Sequence, residues 1–253
     1  MIEKVSKESF KKLLKLNNKR YRDESLDRVD LLIEGSRLIE QVVGYDIQIK
    51  SLYFKEDYFS EHQKIFQEVH CPMYELSKSQ SEALTATNNE QGIFAVVTFE
   101  KKAILNYNKL IYLNAIKDPG NLGSIIRTAS VFDIDGIILD KNCCDVLNEK
   151  VVRASMGAVF AVPIEKVDES WIKNRPETIF VSHPDKNKGI SLENFFFPDR
   201  AFIMIFGSEA NGISEYINVL PHQKLFIEMS GKMQSLNVAI AAAIFMYKMR
   251  NNK

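Results

Sequence analysis

The chain has 253 residues, 45% hydrophobic and 26% charged, a globular balance that excludes disorder, a collagen repeat and a disulfide scaffold. Its 33 basic and 33 acidic residues cancel, so it is not a wholly basic nucleic-acid binder. No apolar run approaches the ~20 residues of a membrane span. The charged start MIEKVSKESFKKLLK lacks a signal-peptide core, and three cysteines without CxxC or metal spacing point to a reducing cytoplasm.

In chain order, residues 1–22 come first, with eight basic side chains against Glu3 and Glu8, a net +6. Such a cluster gathers phosphates or is simply a solvated helix face. Helical patterns cover about 6–18 and 26–43, and short apolar runs at 47–54 and 92–99 suggest strands. This part reads as a small α/β unit. Residues 100–109 (EKKAILNYNK), polar at both ends, read as a linker.

Beyond the linker, strand and helix signals alternate. LIYLNAI (110–116) predicts a buried strand, and a DPGN turn leads into the apolar-periodic helix NLGSIIRTASVF. GIIL (136–139) predicts a strand and VLNEKVVRASMGA a helix. TIFVS (178–182), AFIMIF (201–206) and KLFIEM (224–229) are further predicted strands. NVAIAAAIFMYKM (237–249) is a helix apolar on nearly every side, which predicts burial. The alternation implies a mainly parallel sheet with helices on both faces.

Familiar motifs are missing. Gly207-SEAN-Gly212 has the phosphate-loop spacing without its lysine; GxGxxG, GxSxG and HExxH do not occur, and the four histidines have no ligand spacing. No metal site is expected.

Three polar segments instead follow directly on predicted strands. In the first, Asp118 to Ala129, Pro119 and Gly120 make a tight turn and Asn121 suits the helix N-cap. Arg127 then sits among apolar and small residues, where a buried guanidinium is costly unless paired. It is either a core-edge arginine on a carboxylate or a functional cation. In the second, Gly207 would let a ligand approach the backbone closely, and Glu209 is either functional or a helix-start carboxylate. In the third, Ser235 would cap the last helix. Three such junctions in one α/β domain suggest a composite pocket at strand ends.

DPGNLGSIIRTA, KVVRASMGA, FGSEANGIS and SLNVAIAAA, in that order, resemble the SpoU/TrmH family of the SPOUT superfamily over residues 104–249. These are knotted RNA ribose methyltransferases. KLNNKRYRDESLDRVDLLIEGSRLIE (15–40), with Glu34-Gly35, resembles the substrate-binding domain often fused to them. The resemblance implies an α/β protein: an RNA substrate-binding domain over 1–99, the linker, and a methyltransferase domain over 110–253 with a deep trefoil knot. It implies a cytoplasmic homodimer that binds S-adenosylmethionine (AdoMet) through Gly207, Ile227, Met229 and Leu236. Two positions depart from the family pattern. Glu228 stands where proline is usual, which would loosen that loop or put a charge near the cofactor, and Ala210 replaces a glycine, which strains the backbone if φ is positive there.

The resemblance further implies that Arg127 activates a ribose 2′-hydroxyl. Guanidinium stays protonated in proteins, so the physical role is a fixed cation that lowers the hydroxyl pKa and grips the adjacent phosphate. Asn121 would orient Arg127 or the ribose, Glu209 would orient Arg127, and Ser235 and Asn237 would complete the pocket. Lys19, Arg20, Arg22, Arg37 and Arg153 are candidates for gripping RNA, ribosomal rather than transfer RNA, with Arg153 alternatively facing the dimer partner. Two competing readings are a non-catalytic RNA-binding or ribosome-assembly protein and a knotted base methyltransferase.

Overall fold

The structure is a computed structural model that describes residues 2–16, 27–58, 63–85, 91–208, 211–231 and 234–251. Lys19, Arg20, Arg22, Glu209 and Ala210 lie outside the described residues. The chain divides into two compact units, 1–101 and 102–253.

The first unit runs β1 (Glu3–Lys4), α1 (Lys7–Leu16), β2 (Arg28–Glu34), α2 (Ser36–Gly44), β3 (Ile49–Lys55), α3 (Gln63–Glu68), β4 (Met73–Leu76), α4 (Lys78–Leu84) and β5 (Ile93–Glu100). Its mixed sheet has the order β1-β4-β3-β5-β2, with β5 antiparallel to both neighbours. The helix expected over 26–43 is a strand followed by a helix. Val29, Leu31, Leu32 and Ile33 are all buried, because both sheet faces are covered, and a strand buried on both faces loses the period-two alternation that distinguishes it from a helix. Gly35, at φ 107°, makes the break and starts α2. On one face, Leu32, Tyr53, Phe94 and Val96 pack with Leu13 of α1 and Leu84 of α4. α4 is closed by a capping box in which Gln80 N–H donates to the Ser77 hydroxyl and Ser77 N–H to the Gln80 side chain.

The second unit runs β6 (Lys109–Asn114), α5 (Pro119–Val131), β7 (Gly136–Asp140), α6 (Glu149–Ala154), β8 (Ile164–Val167), α7 (Glu169–Lys173), β9 (Thr178–Ser182), β10 (Ile190–Ser191), β11 (Phe202–Gly207), α8 (Glu215–Asn218), β12 (Gln223–Phe226) and α9 (Val238–Arg250). All seven strands are parallel, in the order β10-β12-β9-β11-β6-β7-β8. One face buries Leu110, Tyr112, Ile138, Val181 and Ile205 beneath Ile172 of α7 and Ile217 of α8. The other carries α5 and α9, with Phe206 of β11 meeting Phe245 of α9 edge-on at 5.5 Å. β6 pairs with β7 on one side and with the distant β11 on the other. That reversal is where open α/β sheets leave a crevice at their carboxyl ends.

Several expected elements end early, for visible reasons. α6 stops at Ala154 because Met156 (φ 50°) and Gly157 (φ 78°) turn left-handed before a short 3-10 turn at 158–160. β12 stops at Phe226, so Ile227, Glu228 and Met229 belong to the loop after it. α9 is not buried all round: Ile240, Ile244 and Tyr247 are exposed along one stripe. Among the described residues no helix is long and apolar enough to cross a membrane, and no cluster of His, Cys, Asp and Glu could hold a metal.

Candidate active site

The loops that leave β9, β11 and β12 enclose a cavity of about 470 Å³, within the usual range for small-ligand sites. Gly207, Ile227, Met229, Ser235 and Leu236 all line it. Residues far apart in sequence meet here because their strands are parallel and near neighbours, so their carboxyl ends face the same way.

After β11 an antiparallel bridge joins Ser208 to Gly212. Ser208 and Gly212 exchange backbone hydrogen bonds of 3.0 and 2.9 Å, and Asn211 N–H donates to the Ser208 hydroxyl at 3.2 Å. Gly212 has φ 65°, a conformation that favours glycine. The chain's own packing also requires glycine at 207. A Cβ there would lie 2.3 Å from Gly212 C and 2.6 Å from Ile213 N. The space is taken by the chain's own returning backbone, and Gly207 borders the cavity as well.

The helix starts also differ from expectation. Asp118, not Asn121, caps α5: its carboxylate accepts Asn121 N–H at 2.8 Å, with Pro119 in the first turn. Asn237, not Ser235, caps α9, its Oδ1 accepting Ala239 N–H at 2.9 Å and Ile240 N–H at 3.3 Å. Freed from capping, Ser235 is left at the cavity wall. The Asn237 amide also donates to Asn121 Oδ1 at 2.9 Å, tying the first turns of α5 and α9 together.

Arg127 is exposed rather than at a core edge, on the α5 face that also carries Ser124 and Val131. The desolvation cost expected of it therefore does not arise, and among the described residues it forms no ion pair. It stands six residues beyond Asn121, within two turns and about 9 Å along the helix axis. Arg153 forms an ion pair with Glu149 one turn earlier on α6. Arg37 is exposed on α2, in the first unit. Glu228 is exposed and outside the cavity lining, whereas its neighbours Ile227 and Met229 line it.

His183, Asn218 and Lys224 line the cavity as well; His183 reads from sequence as structural or exposed, and nothing in the motifs singles out the other two. The available signal was position: His183 directly follows the predicted strand TIFVS, as Gly207 follows its own. The His183 Nδ1 accepts Asp185 N–H at 3.0 Å. Burial, with the Lys224 and Lys188 charges nearby, holds its pKa below the ordinary value.

The apolar Ile227, Met229, Leu236 and Val238 beside the polar Ser208, Asn211 and Ser235 suit a flat heterocycle with polar rims, such as a nucleoside. Residues 108–247 match the model of the SpoU rRNA Methylase family. The chain belongs to the SpoU family. Residues 7–95 of this SpoU methylase match an MRM3-like substrate binding domain. It is similar to the 23S rRNA (guanosine(2553)-2'-O)-methyltransferase RlmP of Bacillus subtilis (strain 168), 28% identical over 256 residues that cover 98% of each chain. A TrmH-family protein from Porphyromonas gingivalis superposes with a TM-score of 0.78 at 26% identity, over 98% of this chain and 99% of that one. The SpoU methyltransferase AviRb of Streptomyces viridochromogenes, determined with AdoMet, shares the fold at TM-score 0.77 and 22% identity, over 98% of both chains. The SpoU methylase is an AdoMet-dependent RNA ribose 2′-O-methyltransferase.

Proposed function

We propose that this methyltransferase modifies a ribose of 23S ribosomal RNA, with AdoMet in the cavity at the ends of β9, β11 and β12 and Arg127 acting on the 2′-hydroxyl. The observation that carries the reading is the convergence of Gly207, Ile227, Met229, Ser235 and Leu236 on one cavity, next in sequence to the Asn237–Asn121 bond that ties α9 to the helix bearing Arg127. The RNA assignment rests on the likeness to the Bacillus subtilis enzyme and on the match of residues 7–95 to a substrate binding domain.

AdoMet, when bound, supplies a methyl group on a positively charged sulfur. Gly207, Ile227, Met229 and Leu236 would hold it at the cavity wall. Arg127, always protonated, stabilises negative charge growing on the 2′-oxygen and grips a neighbouring phosphate. The hydroxyl proton leaves through water or a cofactor group. Asn121 and Asn237 steady the start of the catalytic helix, Glu209 orients Arg127, and Ser235 completes the wall. Fixing the reactants in line is worth about 7–11 kcal/mol of barrier.

RNA is gripped by the unit spanning 1–99, through Lys19, Arg20, Arg22 and Arg37. Arg153, already paired with Glu149, contributes less. The working form is a homodimer joined through α5 and α9, whose exposed Val131 (61%), Ile240 (54%) and Tyr247 (59%) are apolar surface that a partner copy would cover. The domain spanning 110–253 carries a deep trefoil knot. Three free cysteines suit a cytoplasmic setting.

The test is transfer of tritiated methyl from AdoMet to 23S rRNA, followed by mapping of methylated riboses in cells with and without the protein. Arg127→Ala abolishes transfer and leaves AdoMet binding nearly intact. Wild-type-like transfer by that variant refutes the Arg127 role, and a methyl found on a base refutes the ribose assignment.

A further inference from the structure

At the carboxyl ends of β6 and β7 lies a buried polar cluster that none of the site residues above includes. Asp140 is 1% exposed, and among the described residues no cation pairs with it. It is satisfied by donors alone: Ala115 N–H and Asn142 N–H at 3.0 Å each, the Asn114 amide at 2.6 Å, the Asn142 amide at 3.3 Å and the Tyr216 hydroxyl at 3.4 Å. A buried carboxylate persists only with such partners. Asn114, fully buried, is the bridge. Its amide N–H groups reach Asp140 and, at 3.1 Å, the Tyr216 oxygen, and its Oδ1 accepts Ser214 N–H at 2.6 Å. Tyr112 completes the ring of bonds through the Tyr216 hydroxyl at 3.1 Å.

Two features point past simple packing. Ser214 is the exit of the loop 207–213 that walls the cavity, so one end of that loop hangs on the Asn114 side chain. Ala115 holds a left-handed φ of 58°, strained for a residue with a Cβ, and its N–H is what Asp140 accepts. A strained backbone kept in place by an over-determined polar cluster commonly accompanies a geometry that function requires.

We propose that Asn114, Asp140 and Tyr216 are positioning residues that fix the exit of the loop 207–213 and so set the affinity of the cavity for AdoMet. The inference rests on the reading of that cavity as the AdoMet site. None of the three lines the cavity; they act through Ser214.

The experiment measures AdoMet binding by calorimetry and steady-state KM on the full chain, with thermal unfolding as a control. Asn114→Asp faces one carboxylate with another and removes the bridging donor; it weakens AdoMet binding by about tenfold, the loss expected for a charge-assisted hydrogen bond. KM for AdoMet rises while KM for RNA stays unchanged. A smaller folded fraction would instead lower the apparent kcat and leave both KM values alone. The exchange Asn114→Asp with Asp140→Asn restores an amide–carboxylate pair in reverse and recovers most of the affinity. Should Asn114→Asp fail to fold, Tyr216→Phe, which keeps the ring and removes one hydroxyl, shows the same selective rise in KM. Folded variants with AdoMet affinity within twofold of wild type overturn the proposal. A wild-type chain that binds no AdoMet overturns the cofactor reading first, and this inference with it.

Discussion

A methyl group is too large for Gly207. Its Cβ would fall 2.3 Å from Gly212 C and 2.4 Å from Gly212 O, and both are main chain, so no rotamer change relieves the clash. Gly207→Ala must therefore push apart β11 and the backbone that returns beside it. Overpacking of this kind costs about 1–3 kcal/mol, a drop of several degrees in Tm for a chain of this size. AdoMet affinity falls too, because Ser208, Gly212 and Ile213 line the cavity with Gly207. Thermal unfolding and calorimetry on one sample check both, and a variant with unchanged Tm and unchanged affinity contradicts the account. The same scale shows how helix caps are misread. Asp118 and Asn121, like Ser235 and Asn237, are all competent caps by type. Pro119 favours the first helical position, which makes Asp118 the cap and releases the Asn121 side chain for Asn237. That cue was in the sequence. For Ser235 against Asn237 there was no such cue, because the choice depends on where α9 meets α5.

The turn after β9 shows an element tuned by charge. His183 N–H donates to Leu225 O at 2.9 Å, joining the end of β9 to β12, and its ring accepts Asp185 N–H at the head of a 3-10 turn, Lys186–Lys188. Burial first, then the Lys224 and Lys188 charges, lower its pKa; Asp185 opposes them. The folded chain thus binds this proton less readily than the unfolded chain does. This group's contribution to stability is full above the ordinary value of 6.5 and declines as pH falls below it. An NMR titration of the ring gives a midpoint under 6.5, and Lys224→Gln moves it upward; a wild-type midpoint at or above 6.5 contradicts this. Element by element, the parallel sheet was legible where strands were long and apolar: TIFVS is β9 to the residue, and LIYLNAI and GIIL lie within a residue or two of β6 and β7. β2 was not, because burial on both faces removed its alternation. The four-residue β8 and β4, with α7 and α8, are too short for periodicity to register. The site was legible as three strand-end loops. The Asn114–Asp140–Tyr216 cluster was not, because its members are isolated polar residues at the ends of separate elements, and only the pairing of β6 with β7 brings Asn114 and Asp140 together.

At the scale of the molecule, α9 is the element whose sequence and surroundings disagree within one chain. Its mean character is apolar, yet Ile240, Ile244 and Tyr247, at i, i+4 and i+7, form a stripe facing away from the sheet. Tyr247 lies edge-on to Phe132 at the end of α5, and Arg250 donates to Val131 O at 3.1 Å and pairs with Asp133, so the two helices present one continuous surface. Val131 extends the apolar stripe on α5, and Arg127 stands one turn before it on the same helix face. A twofold contact across this surface would bury the stripe and bring each Arg127 toward the partner copy, with the consequence that activity depends on assembly. Sedimentation of the wild-type chain gives twice the 29.0 kDa chain mass. Ile244→Glu, which puts a charge in the middle of the stripe, shifts the mass toward the monomer and lowers methyl transfer by at least about tenfold, as an unpaired buried carboxylate costs more than the 1.4 kcal/mol that factor requires. Because Ile244 is exposed in the single chain, the variant keeps its fold and its unfolding transition. A variant that stays dimeric, or a monomer as active as wild type, rules out this surface as the functional contact.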